Sequence, residues 1–280
     1  MLHEAHRHAK TLTRVCHAVS LHVDELGALG ESRPLHGKSV VVTRARAQAS
    51  GLAATLTVLG ARVVEAPAIR IEARPVTDEV ARAADEIGSY DVVCLTSPNG
   101  AELLLAALQQ RGLDARALAG AEVAAIGPGT ARALAKRGVR ADVIPERSIA
   151  ESLLESLSEM ELPGQRVLVA RAAEARDVLP DGLHELGATV DVVALYDTVA
   201  EPLSADALNQ IAEADYVTFT SSSTVDHFLD AAKGLPAHAR IVSIGPVTSK
   251  TARERGLEVH VEAEQHDVEG LVEALLRDAG

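Results

Sequence analysis

Most of this 280-residue chain carries the same pattern twice, and the repetition limits what it can fold into. Residues 37–44 (GKSVVVTR) return as 164–171 (GQRVLVAR), 91–97 (DVVCLTS) as 215–221 (DYVTFTS), and 125–130 (AIGPGT) as 243–248 (SIGPVT). The offset falls from 127 to 124 and then to 118, so the second copy has shorter connections. A duplicated unit predicts two similar domains, and a cleft between two domains is a common place for a small-molecule site.

Within each copy, short β-branched runs alternate with Ala- and Leu-rich stretches of helical spacing. Strands are predicted at 39–44, 62–67, 91–96, 122–126 and 141–144, and again at 166–170, 189–195, 215–220, 240–244 and 258–262. Four glycines stand where helices should end: Gly60, Gly138, Gly187 and Gly256. The alternation predicts the α/β class, with two flavodoxin-like, doubly wound parallel sheets that arose by internal duplication.

Two stretches at the same place in the repeat, residues 70–78 with Pro75 and residues 197–205 with Pro202, lack the helical pattern. We expect the chain to cross between domains there. A sequence repeat therefore need not coincide with a spatial domain, and the copies could exchange halves.

Residues 1–36 fall outside the repeat and contain five histidines: His3, His6, His8, His17 and His22. Metal binding is one interpretation of this segment. No carboxylate or cysteine completes a closed ligand set around the histidines. The pattern therefore favours an exposed amphipathic helix or a frayed extension.

Charge and cysteine content restrict the compartment and the partners. A formal net charge of -13 argues against nucleic acid or an anionic membrane as the main partner. Cys94 lies in an apolar run typical of a buried strand, and with Cys16 it makes no disulfide framework. No apolar stretch reaches transmembrane length and no secretory h-region precedes the repeat. We expect a soluble, cytoplasmic protein that is monomeric, because few apolar runs are exposed.

Four strand-to-helix turns are the candidates for a binding site: residues 96–100 (TSPNG), 126–130 (IGPGT), 220–224 (TSSST) and 244–248 (IGPVT). In a parallel sheet such turns meet at the carboxyl ends of the strands, where ligands bind. Free N–H groups at helix starts favour carboxylates or phosphates. Ordinary N-capping by Ser, Thr and Asn is the alternative for any single turn. The candidate residues are Thr96, Ser97, Asn99, Gly127, Thr130, Ser221, Ser223, Gly245 and Thr248.

Known nucleotide signatures are absent from these turns. No P-loop sequence occurs. Gly127 and Gly129 begin like a dinucleotide fingerprint, but Arg132 stands where the third glycine belongs and Pro128 lacks an amide donor. These observations exclude a P-loop and argue against NAD binding.

Several guanidinium groups lie near strand ends: Arg44, Arg46, Arg70, Arg171 and Arg176. Arg44 and Arg171 are repeat-equivalent, since each closes the first strand of its copy. Either residue could bind a ligand carboxylate in bidentate fashion or form an intramolecular ion pair.

Tyr196, one of three tyrosines, follows the predicted strand 189–195 beside the second crossing. A phenol there would face the space between domains and could donate a proton to a departing oxygen. Packing with its hydroxyl bonded is the alternative.

Together these segments resemble the uroporphyrinogen-III synthase family over about residues 37–278. The matching pieces are Thr43-Arg44, Leu95–Pro98, Leu195–Thr198, Phe219–Ser221 and Ile244–Thr248 followed by Ala252 and Gly256. The resemblance implies two flavodoxin-like domains joined by two linker strands, with a cleft between them. One domain would combine 37–70 with 199–280, the other would be the inserted segment 71–198, and 1–36 would form an extension.

The resemblance also implies an enzyme of tetrapyrrole and haem biosynthesis, a cyclising hydro-lyase. Its reaction converts linear hydroxymethylbilane into uroporphyrinogen III, inverting ring D through a spiro intermediate with loss of water. No metal, flavin or nucleotide would be needed. The substrate could be handed over by hydroxymethylbilane synthase, and its carboxylates suit helix N-termini and arginines facing one cleft. The enzyme would act mainly by orienting the chain.

Residue roles follow from the same resemblance. Tyr196 falls on the tyrosine proposed to assist hydroxyl departure, and Thr248 on the hydroxyl residue of the last glycine turn. Ser97, Thr130, Ser221 and Ser223 fall on turn positions that line the cleft. Asn99 stands where relatives often carry Arg, and Ser222 replaces a frequent proline, so the contact expected at Asn99 is in question.

Two other function classes stay open. A non-catalytic two-domain binding protein or sensor for a polycarboxylate would fit the lack of a nucleophile–base pair. A glycosyltransferase would need a nucleotide-sugar pocket, and the sequence supplies no convincing one.

Overall fold

A computed structural model describes residues 33–232 and 234–280. Its strands are β1 (Ser39–Val42), β2 (Arg62–Glu65), β3 (Ile69–Ala73), β4 (Val92–Leu95), β5 (Glu122–Ala125), β6 (Arg166–Ala172), β7 (Thr189–Ala200), β8 (Tyr216–Phe219), β9 (Arg240–Ser243) and β10 (Val261–Glu262). Its α-helices are α1 (Arg46–Val58), α2 (Asp78–Asp85), α3 (Pro98–Gln110), α4 (Pro128–Lys136), α5 (Ala150–Leu157), α6 (Val178–Glu185), α7 (Ala205–Ile211), α8 (Ser222–Ala232), α9 (Pro246–Glu254) and α10 (Val268–Ala279). Cys16 and the five histidines weighed as metal ligands lie outside the described residues.

The described strands form two five-stranded sheets. Sheet A has the order β10-β9-β8-β1-β2, and sheet B has the order β3-β7-β6-β4-β5. Every pair in sheet A is parallel, whereas in sheet B the β3–β7 pair is antiparallel. Numbered within its own sheet, sheet A has the flavodoxin-like order 2-1-3-4-5. The predicted α/β class with two mainly parallel sheets is confirmed.

Each sheet combines strands from both copies of the repeat. The first copy contributes β1 and β2 to sheet A but β4 and β5 to sheet B. The second copy contributes β6 and β7 to sheet B but β8, β9 and β10 to sheet A. The halves are exchanged at the two stretches predicted as crossings, which form β3 and the end of β7. The domain boundaries expected at 70/71 and 198/199 fall within these two strands.

The antiparallel β3–β7 pair is symmetric about its own centre. Its register is centred on Ile71 and Thr198, with Ile69 opposite Ala200 and Ala73 opposite Tyr196. Ile71 and Thr198 are repeat-equivalent, because they differ by the same 127 positions as the first strands of the two copies. The two-fold axis of the duplication therefore passes between these residues.

The last predicted strand of each copy is shorter than expected. Residues 141–144 make a single bridge, from Val143 to Ala124, because the carboxylate of Asp142 accepts the Val123 N–H at 3.0 Å. Residues 258–262 are reduced to β10, and here His260 Nδ1 accepts the Ile241 N–H at 3.1 Å. In both copies a side chain takes the amide hydrogen that a ladder partner would otherwise bind.

Helices cover both faces of both sheets. In β1, Val40 and Val42 pack in one apolar cluster while Val41 packs in another on the opposite face. In β4, Val93 and Cys94 divide between two clusters in the same way. Cys94 is fully buried with a free thiol, as predicted. No helix within the described ranges is both long and apolar enough to span a bilayer.

Candidate functional site

A cavity of about 470 Å³ lies between the two sheets, at the carboxyl ends of their parallel strands. This volume is within the range of small-molecule pockets, about 300–1,000 Å³. Eight of the ten described α-helices place their first residues, or the residue just before them, at this cavity: α1, α3, α4, α5, α6, α8, α9 and α10. Because N-terminal amides and helix dipoles carry partial positive charge, the converging helices favour anions in the cavity.

All twelve site residues predicted from the sequence line this cavity. They are Arg44, Thr96, Ser97, Asn99, Gly127, Thr130, Arg171, Tyr196, Ser221, Ser223, Gly245 and Thr248. Their meeting in one place is a finding, while the role of each stays a prediction.

Two of the four turns begin helices without a side-chain cap. Gly127 precedes α4 and Gly245 precedes α9, and at neither helix start does a capping side chain accept a hydrogen bond from the backbone N–H groups. A Cβ on Gly127 would overlap Ser148, and a Cβ on Gly245 would lie 2.9 Å from His266 Cδ2. Glycine thus lets each turn approach the segment beside it. The open first-turn amides of α4 and α9 suit an anionic oxygen.

Thr130 and Thr248 lie in the first turns of these two helices. Both are buried, at 2% and 5% exposure, and both line the cavity. Neither hydroxyl makes a hydrogen bond with another residue in the described part of the chain. The two hydroxyls are therefore available to a ligand at repeat-equivalent points.

In the other two turns, serine does cap the helix. Ser97 Oγ accepts the Gly100 N–H of α3 at 2.9 Å. Ser221 and Thr224 form a reciprocal capping box at the start of α8, with bonds of 3.2 and 3.1 Å. The N-capping interpretation is thus correct here, although Ser97 and Ser221 also face the cavity.

Tyr196 lies on β7 with 6% of its surface exposed. Its hydroxyl donates to Ser97 Oγ at 2.9 Å. Burial raises the pKa of Tyr196, and hydrogen bonds with Ser97 and Asn99 lower it to a smaller extent. The phenol is therefore protonated at neutral pH and can donate a hydrogen.

The two repeat-equivalent arginines have different surroundings. Arg171 is nearly buried, at 13% side-chain exposure, and is paired with Asp177 at 2.6 Å. Burial lowers the pKa of Arg44, and the charge of Glu269 acts in the opposite direction. A guanidinium stays charged in either case. At Arg171 the ion pair weighed as the alternative is present, and the residue lines the cavity as well.

The other arginines divide into two groups. Arg46 and Arg70 pair at the surface with Glu201 and Glu72 and do not line the cavity. Arg176 lines it and pairs with Glu151 at 2.7 Å.

Several cavity residues were not among the predicted site residues, and Arg132, Ser148 and His266 are polar examples. Arg132 lies on the first turns of α4, whereas Ser148 and His266 lie just before α5 and α10. A signal was present, because Ser148 and His266 differ by the same 118 positions as Gly127 and Gly245. Extending the repeat to these segments would have placed both residues at the site.

A family model described as "Uroporphyrinogen-III synthase HemD" matches residues 50–273. The chain belongs to the uroporphyrinogen-III synthase family. This finding confirms the resemblance. The family is one of cyclising lyases, and its substrate is a tetrapyrrole small molecule.

Named relatives agree with this family. A "Uroporphyrinogen-III synthase" of Synechococcus elongatus is 35% identical over 262 residues, which cover 87% of this chain and 96% of the relative. A "Porphyrin biosynthesis protein HemD" of Ruminiclostridium josui is 31% identical over 252 residues, 89% of this chain. The chain spans about half of that relative's length, since the match covers 50% of it.

The fold also agrees with a solved family structure. A mutant uroporphyrinogen III synthase of Thermus thermophilus superposes with a TM-score of 0.60. The match covers 86% of this chain and 98% of that one, at 21% identity. At this identity the likeness supports the two-domain α/β fold alone.

Proposed function

We propose that the protein converts linear hydroxymethylbilane into uroporphyrinogen III, inverting ring D and releasing water. Family membership supplies the reaction class. The observation that carries the assignment to this site is the cavity itself, where uncapped helix starts face a buried, protonated tyrosine. Such a cavity offers anion binding and one proton donor, which this reaction needs.

Binding of the substrate carboxylates falls to amides and guanidinium groups. The N–H groups at the uncapped starts of α4 and α9 donate to carboxylate oxygens at repeat-equivalent points, beside Thr130 and Thr248. Arg44 and Arg171 add positive charge at the ends of β1 and β6. Because the substrate carries many carboxylates along a linear chain, several weak contacts fix its shape as well as its position.

Loss of the terminal hydroxyl is the step assigned to Tyr196. The pyrrole nitrogen lone pair expels the hydroxyl, the C–O bond breaks, and the Tyr196 proton passes to the leaving oxygen to give water. Ser97 Oγ, now 2.9 Å from the phenol oxygen, can turn its own hydrogen towards the phenolate. Asn99 lowers the pKa of Tyr196 and so favours the same phenolate. A positioned acid of this kind typically contributes about 10²-fold or more in rate.

The remaining steps depend on orientation. The electrophile formed by water loss attacks the ring D carbon that already bears a bridge, and the spiro intermediate then fragments and recombines. The freed bridge bonds to the other α-carbon of ring D, which carried a hydrogen, and this carbon finally releases its proton, which balances the proton supplied by Tyr196. Thr248, at the start of α9, is proposed to hold the reacting end through its hydroxyl. Direct head-to-tail closure is disfavoured when the chain is held bent.

The domain division stays part of the proposal. Residues 37–70 with 199–280 form one domain, 71–198 the inserted one, and 1–36 an extension. The composition of the two sheets and the β3–β7 pair, which joins them as two linker strands, support this division. A monomer in the cytoplasm that receives its substrate from hydroxymethylbilane synthase completes the proposal.

An isomer assay tests the proposed reaction. Hydroxymethylbilane is generated in situ, the protein is added, and the oxidised porphyrins are separated by isomer. The proposal expects mainly type III. Type I alone, formed at the rate seen without protein, would mean that the fold binds a polycarboxylate without chemistry.

A further inference from the structure

The walls of the cavity are nearly two-fold symmetric. Glycine turns, first-turn threonines and strand-end arginines occur in repeat-equivalent pairs: Gly127 and Gly245, Thr130 and Thr248, Arg44 and Arg171. A linear tetrapyrrole has two different ends, one with the hydroxymethyl group and one with ring D. A symmetric cavity cannot distinguish these ends, so residues that break the symmetry decide which way the substrate lies.

Several cavity positions break the symmetry, among them those of Tyr196, Asn99 and His266. Tyr196 is equivalent to Ile69, Asn99 to Ser223, and His266 to Ser148. Tyr196 is already assigned to the hydroxymethyl end. At the position shared by Ser148 and His266, one copy of the repeat has a hydroxyl group and the other has an imidazole.

Ser148 and His266 occupy matching surroundings. Ser148 packs against the turn at Gly127, and His266 packs against the turn at Gly245. Both lie beside an uncapped helix start, α4 and α9 respectively. The imidazole and the hydroxyl thus face the same kind of ligand group from opposite walls.

His266 differs from the other titratable groups of the cavity in having no partner among the described residues. The other titratable groups each have one: Arg132 with Glu269, Arg171 with Asp177, Arg176 with Glu151, Tyr196 with Ser97, Asp267 with the Gly270 N–H, and Arg44 with the charge of Glu269. The imidazole of His266 is half-buried and makes no hydrogen bond with another residue of the described part. A half-buried polar ring without a protein partner is available to a ligand.

We propose that His266 donates a hydrogen bond to one substrate carboxylate and so fixes the direction in which the linear tetrapyrrole binds. This inference rests on the proposed function. In the productive direction the hydroxymethyl group lies at Tyr196. In the reverse direction it lies at Ile69, which offers no proton. Ser148, whose side chain is shorter, holds a substrate carboxylate at the opposite wall less strongly.

The test replaces His266 by the residue of its symmetric counterpart. His266→Ser should lower kcat/KM about tenfold, the size of one hydrogen bond to a charged group. It should also lower kcat, because reversed molecules bind without reacting. The share of type I product should rise, since released substrate closes spontaneously. His184→Ser, on the exposed end of α6, is the matched control and should behave like the wild type.

A second variant separates hydrogen bonding from packing. His266→Asn keeps a side-chain N–H and should recover most of the lost kcat/KM, with Tm monitored for every variant. A His266→Asn protein with unchanged Tm that is as slow as His266→Ser overturns the inference. So does a folded His266→Ser protein with wild-type kinetics and isomer share. Wild-type protein that yields type I alone refutes the proposed function instead, so the two failures are distinguishable.

Discussion

Arg132 Nη2 donates to Glu269 Oε2 at 3.1 Å and so joins α4, on sheet B, to α10, on sheet A. Its Nη1 also lies 4.0 Å from Asp267. Both side chains of the closer pair are at least half exposed, which limits its contribution to about 1 kcal/mol. Because Arg132 lines the cavity, a substrate carboxylate can compete with Glu269 for the guanidinium.

This competition predicts that replacing Glu269 and replacing Arg132 change KM in opposite directions. Glu269→Gln should lower KM about threefold, because Arg132 is released for the substrate, and Arg132→Gln should raise KM by a similar factor. Steady-state kinetics measures both. Glu254→Gln, which removes an exposed pair with Lys250, is the control. Equal changes in KM for Glu254→Gln and Glu269→Gln would count against the competition.

The close approach at Gly127 predicts a loss of stability. A Cβ there overlaps the side chain of Ser148, so Gly127→Ala should lower the free energy of unfolding by about 1–3 kcal/mol. Gly120→Ala should leave it nearly unchanged, because nothing lies within 4 Å of the added Cβ. Urea unfolding compares the two variants. A Gly127→Ala protein as stable as Gly120→Ala would refute the packing argument.

Thr248 and Thr130 should behave differently although they are repeat-equivalent. Thr248→Ala is expected to lower kcat about tenfold through loss of its hydroxyl contact at the reacting end. Thr130→Ala is expected to raise KM and leave kcat close to the wild-type value. Thr248→Ser restores a hydroxyl and should recover kcat. If the two alanine variants change the same kinetic constant, Thr248 has no special role.

Acidic pH should lower the stability of the fold around sheet A, because Asp278 becomes protonated. Its carboxylate accepts two hydrogen bonds of 2.6 Å from Arg240, which lower the pKa of Asp278. Since this pKa is lower in the folded than in the unfolded state, the interaction stabilises the fold above about pH 4 and is lost as the pH falls further.

Asp278→Asn should therefore reduce the free energy of unfolding by about 1 kcal/mol at pH 7, and by less at pH 3. Urea titrations at the two pH values measure the difference. Glu159→Gln, at an exposed site, should show no such change. If Asp278→Asn lowered the free energy of unfolding equally at both pH values, the proposed coupling between the protonation of Asp278 and folding would be wrong.

Local patterns were sufficient to predict the elements but not their assembly. Gly60 and Gly187 were placed at helix ends by sequence, and both have positive φ, 96° and 87°. The pairing of β1 with β8 joins residues about 175 positions apart, and no local pattern encodes it. The exchange of halves followed from the family resemblance, with the two crossings marking where it could happen.

At the site, too, local patterns were sufficient for some residues and not for others. Turn residues such as Ser97 and Gly245 could be found because a strand pattern ends immediately before them. Ser148 and His266 lie four residues beyond the predicted strands 141–144 and 258–262, so they fell outside the turns that directly follow a strand end. Whether Arg171 binds an internal carboxylate depends on the position of Asp177, which spacing alone does not fix.

Tyr196→Phe should slow turnover about 10²-fold, because the leaving hydroxyl loses its proton donor. KM should change little, since the ring still fills its place on β7. Tyr90→Phe is the matched control, because the Tyr90 hydroxyl donates to Asp191 and the residue does not line the cavity.

The most direct test measures single-turnover rate and porphyrin isomer for the wild type, Tyr90→Phe and Tyr196→Phe, each with excess protein over hydroxymethylbilane. The account predicts type III at equal rates from the first two proteins. From Tyr196→Phe it predicts a rate about 10²-fold lower, with type I appearing as spontaneous closure competes. A Tyr196→Phe protein that forms type III at the wild-type rate would contradict the assignment of the proton donor.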